Sequence, residues 1–243
     1  MNPALFDLSA LPDKAPEYDL TELFEAGCHF GHQVEKWNPK MKKFIFTQKG
    51  GVHIFDLEQT AAQLKTAYNA AYALGKNGKN LIVVGTKRQA RDTVTTTCTE
   101  NGVMYIASRW LGGLMTNWDQ VKKSLTRMTE IENGLKNGKF DHYTKYERLQ
   151  LEKEQGRLER FFNGIRELKQ MPDALFIIDV RKEKNVINEA NSMGVFTIGL
   201  VDSNSDPTKV DLAIPANDDG QKSLELIIKA VVDGYVAGKR DLN

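Results

Sequence analysis

The chain has 243 residues, 41% of them apolar, and its 33 basic and 32 acidic side chains leave a formal charge of +1. That length is enough to bury the core of one large α/β domain carrying an insertion. No stretch approaches the ~18 apolar residues of a helical membrane span, and two cysteines, Cys28 and Cys98, are too few for a disulfide framework, so the setting reads as reducing and cytoplasmic.

The near-zero charge conceals blocks. Residues 1–26 carry a net −5, residues 27–170 a net +10, and residues 171–243 a net −4. A basic middle between acidic ends fits a protein that turns one face to a polyanion. Residues 1–19, with Pro3, Pro12 and Pro16, cannot hold a helix and are expected to be a flexible leader. Asp19 or Thr21 then caps a short helix over 20–26, docked by Leu20, Leu23 and Phe24 and ended by Gly27.

Residues 27–55 hold three histidines, one tryptophan and five lysines with a single carboxylate, Glu35. The pattern predicts a hairpin with strands 44–47 and 52–55. Lys36, Lys40, Lys42, Lys43 and Lys49, interleaved with Trp37, Phe44 and Phe46, offer charges to phosphates and flat rings to bases, although lysines on a hairpin are equally explained by solvation. Asp56 opens a helix with Gln59 at the capping-box spacing, and the run 60–74 continues it until Gly75 and Gly78. An apolar strand, 81–84, leads through Gly85-Thr86-Lys87-Arg88 into a helix that ends near Glu100.

Arg109-Trp110-Leu111-Gly112-Gly113 joins a stackable ring and a guanidinium to a glycine pair, which suits RNA or a buried anchor at the root of the next segment. Over 117–170, Trp118, Val121, Leu125 and Met128, and then Leu151, Leu158, Phe161, Ile165 and Leu168, repeat at helical spacing around a break at Asn137, Gly138 and Asp141. That predicts an inserted helical hairpin. Strands at 174–178 and 195–200, each followed by an aspartate (Asp179, Asp202), alternate with helices at 183–193 and 218–235. The fold class is therefore α/β, a doubly wound parallel sheet with helices on both faces. Its parts are a leader (1–19), a first α/β part with the basic hairpin (20–116), the inserted hairpin (117–170) and a second α/β part (171–243).

Other chemistries fit less well. Residues 85–88 occupy the place where doubly wound proteins bind phosphate, but they match neither the dinucleotide fingerprint nor the P-loop. An enzyme or nucleotide-binding reading would pair them with Asp179 or Asp202. Cys28, His29 and His32 could ligate zinc with His53 as a distant fourth, yet the spacing matches no closed site and Gly31 argues against a helix. A Cys28–His29 nucleophile pair fails because adjacent side chains on extended backbone point to opposite faces.

Six ordered motifs carry a resemblance. They are Leu23-Phe24-Glu25-Ala26-Gly27-Cys28-His29-Phe30-Gly31-His32, Trp37-Asn38-Pro39-Lys40-Met41, residues 85–88, Arg109 to Gly113 running on to Thr116-Asn117-Trp118, Pro172-Asp173-Ala174-Leu175-Phe176, and Asp202-Ser203-Asn204-Ser205-Asp206-Pro207. Together they resemble the bacterial small-ribosomal-subunit protein two family over roughly residues 20–237. The resemblance implies a flavodoxin-like sheet with an inserted coiled-coil hairpin. It also implies a peripheral seat on the small subunit, contact with its rRNA, and help in docking the mRNA-binding protein one, with no catalysis, cofactor, metal or homo-oligomer. Carried over, the RNA contacts would be His32, Trp37, Lys40, Lys42, Lys43, Lys87, Arg88 and Arg109, with Trp110, Gly112 and Gly113 at the hairpin root. Gly194-Val195-Phe196 departs from the Gly-Ile-Pro usual there.

Overall fold

The computed structural model describes residues 11–242, so the first part of the expected flexible leader, 1–10, lies outside the described residues. Residues 11–19 have no regular structure, as Pro12 and Pro16 dictate, but they are docked rather than loose. The amides of Lys14 and Ala15 both donate to Asn69 Oδ1, at 2.9 and 2.8 Å. Lys65 pairs with Asp13 and Glu17, and Leu11 and Tyr18 pack on the main core. The backbone donors of a proline-broken strap thus find a side-chain acceptor where no ladder exists.

Helix α1 (Leu20–Glu25) starts at Asp19, whose carboxylate accepts the Thr21 amide at 2.8 Å. A small antiparallel sheet follows, ordered β1 (Phe30–Gln33), β3 (Val52–Phe55), β2 (Ile45–Lys49). The expected hairpin is β2–β3, turned by Gly50 and Gly51 at φ 61° and 79°, the left-handed pair a two-residue turn needs. Strand β1 gave no sequence signal, because Phe-Gly-His-Gln has neither alternation nor β-branched residues.

The main sheet is built from β4 (Leu81–Val84), β5 (Met104–Ile106), β6 (Ala174–Ile178), β7 (Phe196–Val201) and β8 (Leu212–Pro215), in the spatial order β5-β4-β6-β7-β8, all parallel. Counted from β4 this is the 2-1-3-4-5 order of flavodoxin-like folds, whose switch point lies between β4 and β6. Alternation along the strands divides the core. Leu81, Val83, Ala174, Phe176 and Ile178 pack against α2 (Leu57–Lys76), α3 (Arg88–Glu100) and α7 (Gln221–Arg240). Ile82, Val84, Leu175 and Ile177 pack on the other side, against α4 (Trp118–Lys136) and α6 (Lys184–Met193), together with Phe55 of the small sheet and Met41 and Phe44 of the turn before β2.

Gly75 does not stop α2. A Cβ there would stand 2.2 Å from the Tyr235 carbonyl oxygen, and one at Gly238 would stand 2.0 Å from that of Tyr72. The two helices pass with their backbones nearly touching, which is why the alanine-rich face of α2 meets a face of α7 carrying Ala230, Gly234 and Gly238.

The insertion forms the expected pair of helices, α4 and α5 (Lys145–Phe162), and Thr144 and Glu147 make the capping box at the second start. Its root belongs to the main core through Val121, Leu125, Met128 and Phe162. Its far end is held by Ile131, Phe140 and Leu151 alone, with Leu135 and Leu158 at the margin. Residues 141–150 are all exposed. Helix α5 ends at Phe162, so Ile165 and Leu168 belong to the return path rather than to the helix.

Candidate nucleic-acid interface

The first motif is fixed from beneath by apolar anchors, while its charges point outward. Asn38 caps a 3-10 turn (Pro39–Phe44) by accepting the Lys40 amide, and this turn buries Met41 and Phe44 and leaves Lys40, Lys42 and Lys43 exposed. Lys40 donates to Asp206 Oδ2 at 2.7 Å. Lys36, Lys42, Lys43 and Lys49 make no ion pair among the described residues, and Lys43 lies 4.6 Å above the Phe44 ring. Phe46 stands beside them, 76% exposed. Trp37 is half-buried, its ring centroid 5.0 Å from that of His53.

His32 lies elsewhere. Its Nδ1 is 3.0 Å from Asp202 Oδ1, its Nε2 is 3.4 Å from Asp219 Oδ2, and its amide donates to Ser203 Oγ. The hydrogen bond to Asp202 lifts the imidazole above its ordinary value despite partial burial. Beside it, at the switch point, Lys87 Nζ is 2.6 Å from Asp218, 2.7 Å from Asp219 and 3.6 Å from Asp179. Burial alone would lower this lysine, but the three carboxylates outweigh it and hold the ammonium up to about 12. Asp218 is pushed up to about 7 by burial and by the charges of Asp202 and Asp179. Thr86 Oγ1 donates to Glu183, whose carboxyl is raised by burial, and the Lys182 ammonium donates to the Thr86 carbonyl.

The phosphate-binding position of a doubly wound fold is therefore filled by the chain's own carboxylates, with Lys87 spent on them. An incoming phosphate would meet four aspartates. The residues that could hold a cation are His32, Asp202 and Asp218, whose ligand atoms lie within 4.8 Å of one another. Cys28, His29 and His32, the alternative set from sequence, are not brought together. Cys28 is in the core with its thiol raised by burial, and His29 stacks on Phe24 at 4.3 Å.

Arg88 is exposed on the first turn of α3 and Arg109 is exposed ahead of the root. Trp110 is buried, and its Nε1 donates to Glu189 Oε1 at 3.1 Å. The same carboxylate accepts the Gly113 amide at 2.8 Å and the Met115 amide at 3.2 Å. Glu189 on α6 thus organises the glycine turn in which the hairpin is rooted, Gly113 at φ 89° included, whereas Gly112 is exposed. Sequence reading missed Glu189, since nothing links it to a turn 76 residues away.

A second surface lies beside α1. Leu20, Phe24, Phe46, Ile54 and Leu57 line an open groove of about 630 Å3 with His29 at its wall. Phe24 is 58% exposed, far more aromatic surface than an isolated fold gains from showing.

A flavodoxin-ordered sheet with a rooted helical hairpin and unpaired cations on its first motif agrees with comparison to known families, where the model described as ribosomal protein S2 matches residues 23–238. Among the described residues no helix is long and apolar enough to cross a membrane. The chain belongs to the ribosomal protein S2 family, and its role is a structural one in the small ribosomal subunit, in translation.

Proposed function

We propose that this protein binds small-subunit rRNA through the outward cations of residues 36–49, Arg88, Arg109 and the hairpin. On the same reading it holds neighbouring ribosomal proteins through the aromatic groove beside α1, supports the docking of the mRNA-binding protein one, and catalyses nothing. The carrying observation is that Lys36, Lys42, Lys43 and Lys49 are exposed and have no carboxylate partner among the described residues. A folded chain rarely leaves such a row uncompensated unless a polyanion completes it. Phe46 and the half-buried Trp37 add rings for unstacked bases.

Lys87 and His32 take a different part in this reading. Both are tied to internal carboxylates, so they position the loops that carry the contacts. Lys42→Glu with Lys43→Glu, assayed by occupancy on small subunits, should lower association without changing the thermal midpoint. Unchanged occupancy would count against the first motif as the RNA face.

A further inference from the structure

A cleft of about 440 Å3 opens at the carboxyl ends of β6 and β7, in the acidic third of the sequence, and its walls include Asn38, Arg181, Lys184, Asn188, Asn204 and Lys209. Arg181, Lys184 and Lys209 are exposed and have no ion pair among the described residues. Asp206, the carboxylate on this wall, is already matched. Burial would raise it, but Lys40 at 2.7 Å and the Thr208 donors hold it below the usual range. Lys184 is also the first residue of α6, whose first turn contains no acid, and the preceding Glu183 is engaged by Thr86 instead of capping the helix. A cation there opposes the helix dipole. Lys184 at that helix start, with Arg181 just before it and Lys209 on another wall of the cleft, therefore weakens the free fold and suits a bound anion.

The cleft is not closed around a small ion. Past the Lys40–Asp206 bridge a second groove, of about 570 Å3, continues along Lys43, Pro207 and Thr208. A strand of linked phosphates fits this succession, and the three asparagines supply donors and acceptors for a base edge. We infer that Arg181, Lys184 and Lys209 each neutralise a phosphate of an RNA strand that runs on past Lys40 to Lys43. This rests on the rRNA-binding reading above and extends it to a face that net charge conceals.

The test uses the full chain, wild type and with Arg181→Ala, Lys184→Ala and Lys209→Ala combined, titrated onto small subunits depleted of this protein over a series of salt concentrations. Each lost phosphate contact should reduce the slope of log affinity against log salt by about 0.7–0.9, so the triple variant should fall short of wild type by about 2. Arg181→Lys with Lys184→Arg should keep the wild-type slope. A triple variant with the wild-type slope overturns the inference and leaves the general reading standing, whereas a wild type that fails to bind overturns both. Should the triple variant melt early, Lys209→Gln alone still decides, with a slope loss of about 0.8 expected and no loss contradicting it.

Discussion

His53 is 1% exposed against Trp37, and neither of its ring nitrogens has a hydrogen-bond partner. Burial lowers its affinity for a proton, and burial acts the same way on His29. A histidine whose folded value lies below the unfolded ~6.5 binds protons more readily when the chain is unfolded. Its contribution is complete above about pH 6.5 and is lost as pH falls through the folded value. The thermal midpoint of wild type should therefore drop more between about pH 7.5 and 5.5 than that of His53→Phe; parallel drops would contradict this. Lys87→Met should cost about 3 kcal/mol, because it leaves Asp218 and its neighbours without their cation. Denaturant unfolding checks it, and an unchanged midpoint would return Lys87 to the surface contacts. The lysines of 36–49 were legible in sequence because their exposure follows from local anchors, Met41 and Phe44. The role of Lys87 was not, since its partner Asp218 lies 131 residues away.

Helices α2 and α7 meet through glycines, one of which, Gly75, sequence reading took for a stop. Glycine inside a helix costs about 1 kcal/mol against alanine, and here it permits the close passage at Gly75 and Gly238. Gly238→Val should lower stability by about 3 kcal/mol, roughly 6–12 °C in midpoint; a change under about 2 °C would contradict the packing. In the hairpin, Phe140 sits within 3 Å of where a Gly134 Cβ would stand, whereas the Arg127–Glu154 pair is partly solvated. Phe140→Ala should accordingly cost about 3 kcal/mol of local stability and Arg127→Ala about 0.5, seen as faster amide exchange in α4 beyond Met128 for the first variant alone. Strands β4 and β6 were readable because both faces are buried and every residue is apolar. Strands β5 and β8 were not, being short edge strands, one of three residues and one ending in Pro215, which only an edge tolerates.

At the scale of the molecule, the alternation of central strands with helices and the insertion followed from periodicity, but β1, β5, β8 and the distribution of charge over faces did not. Block counts read a basic middle that turns one face to a polyanion, the other face being left to solvent or protein neighbours, and an acidic last third. Folding instead brings Arg181, Lys184 and Lys209 of that acidic third next to Asn38 of the basic motif, buries Asp202 and Asp218, and ties them together with the exposed Asp219 to Lys87 and His32. The charges that remain outward are what bind, if the chain's work is to neutralise rRNA phosphates. The most direct measurement is the affinity of the wild-type protein for depleted small subunits across salt concentrations. A linear fall of log affinity with log salt, with a slope of about −3 or steeper from the four unpaired lysines of the first motif alone, is the predicted result. Tight association that is indifferent to salt, or no association at all, would contradict it.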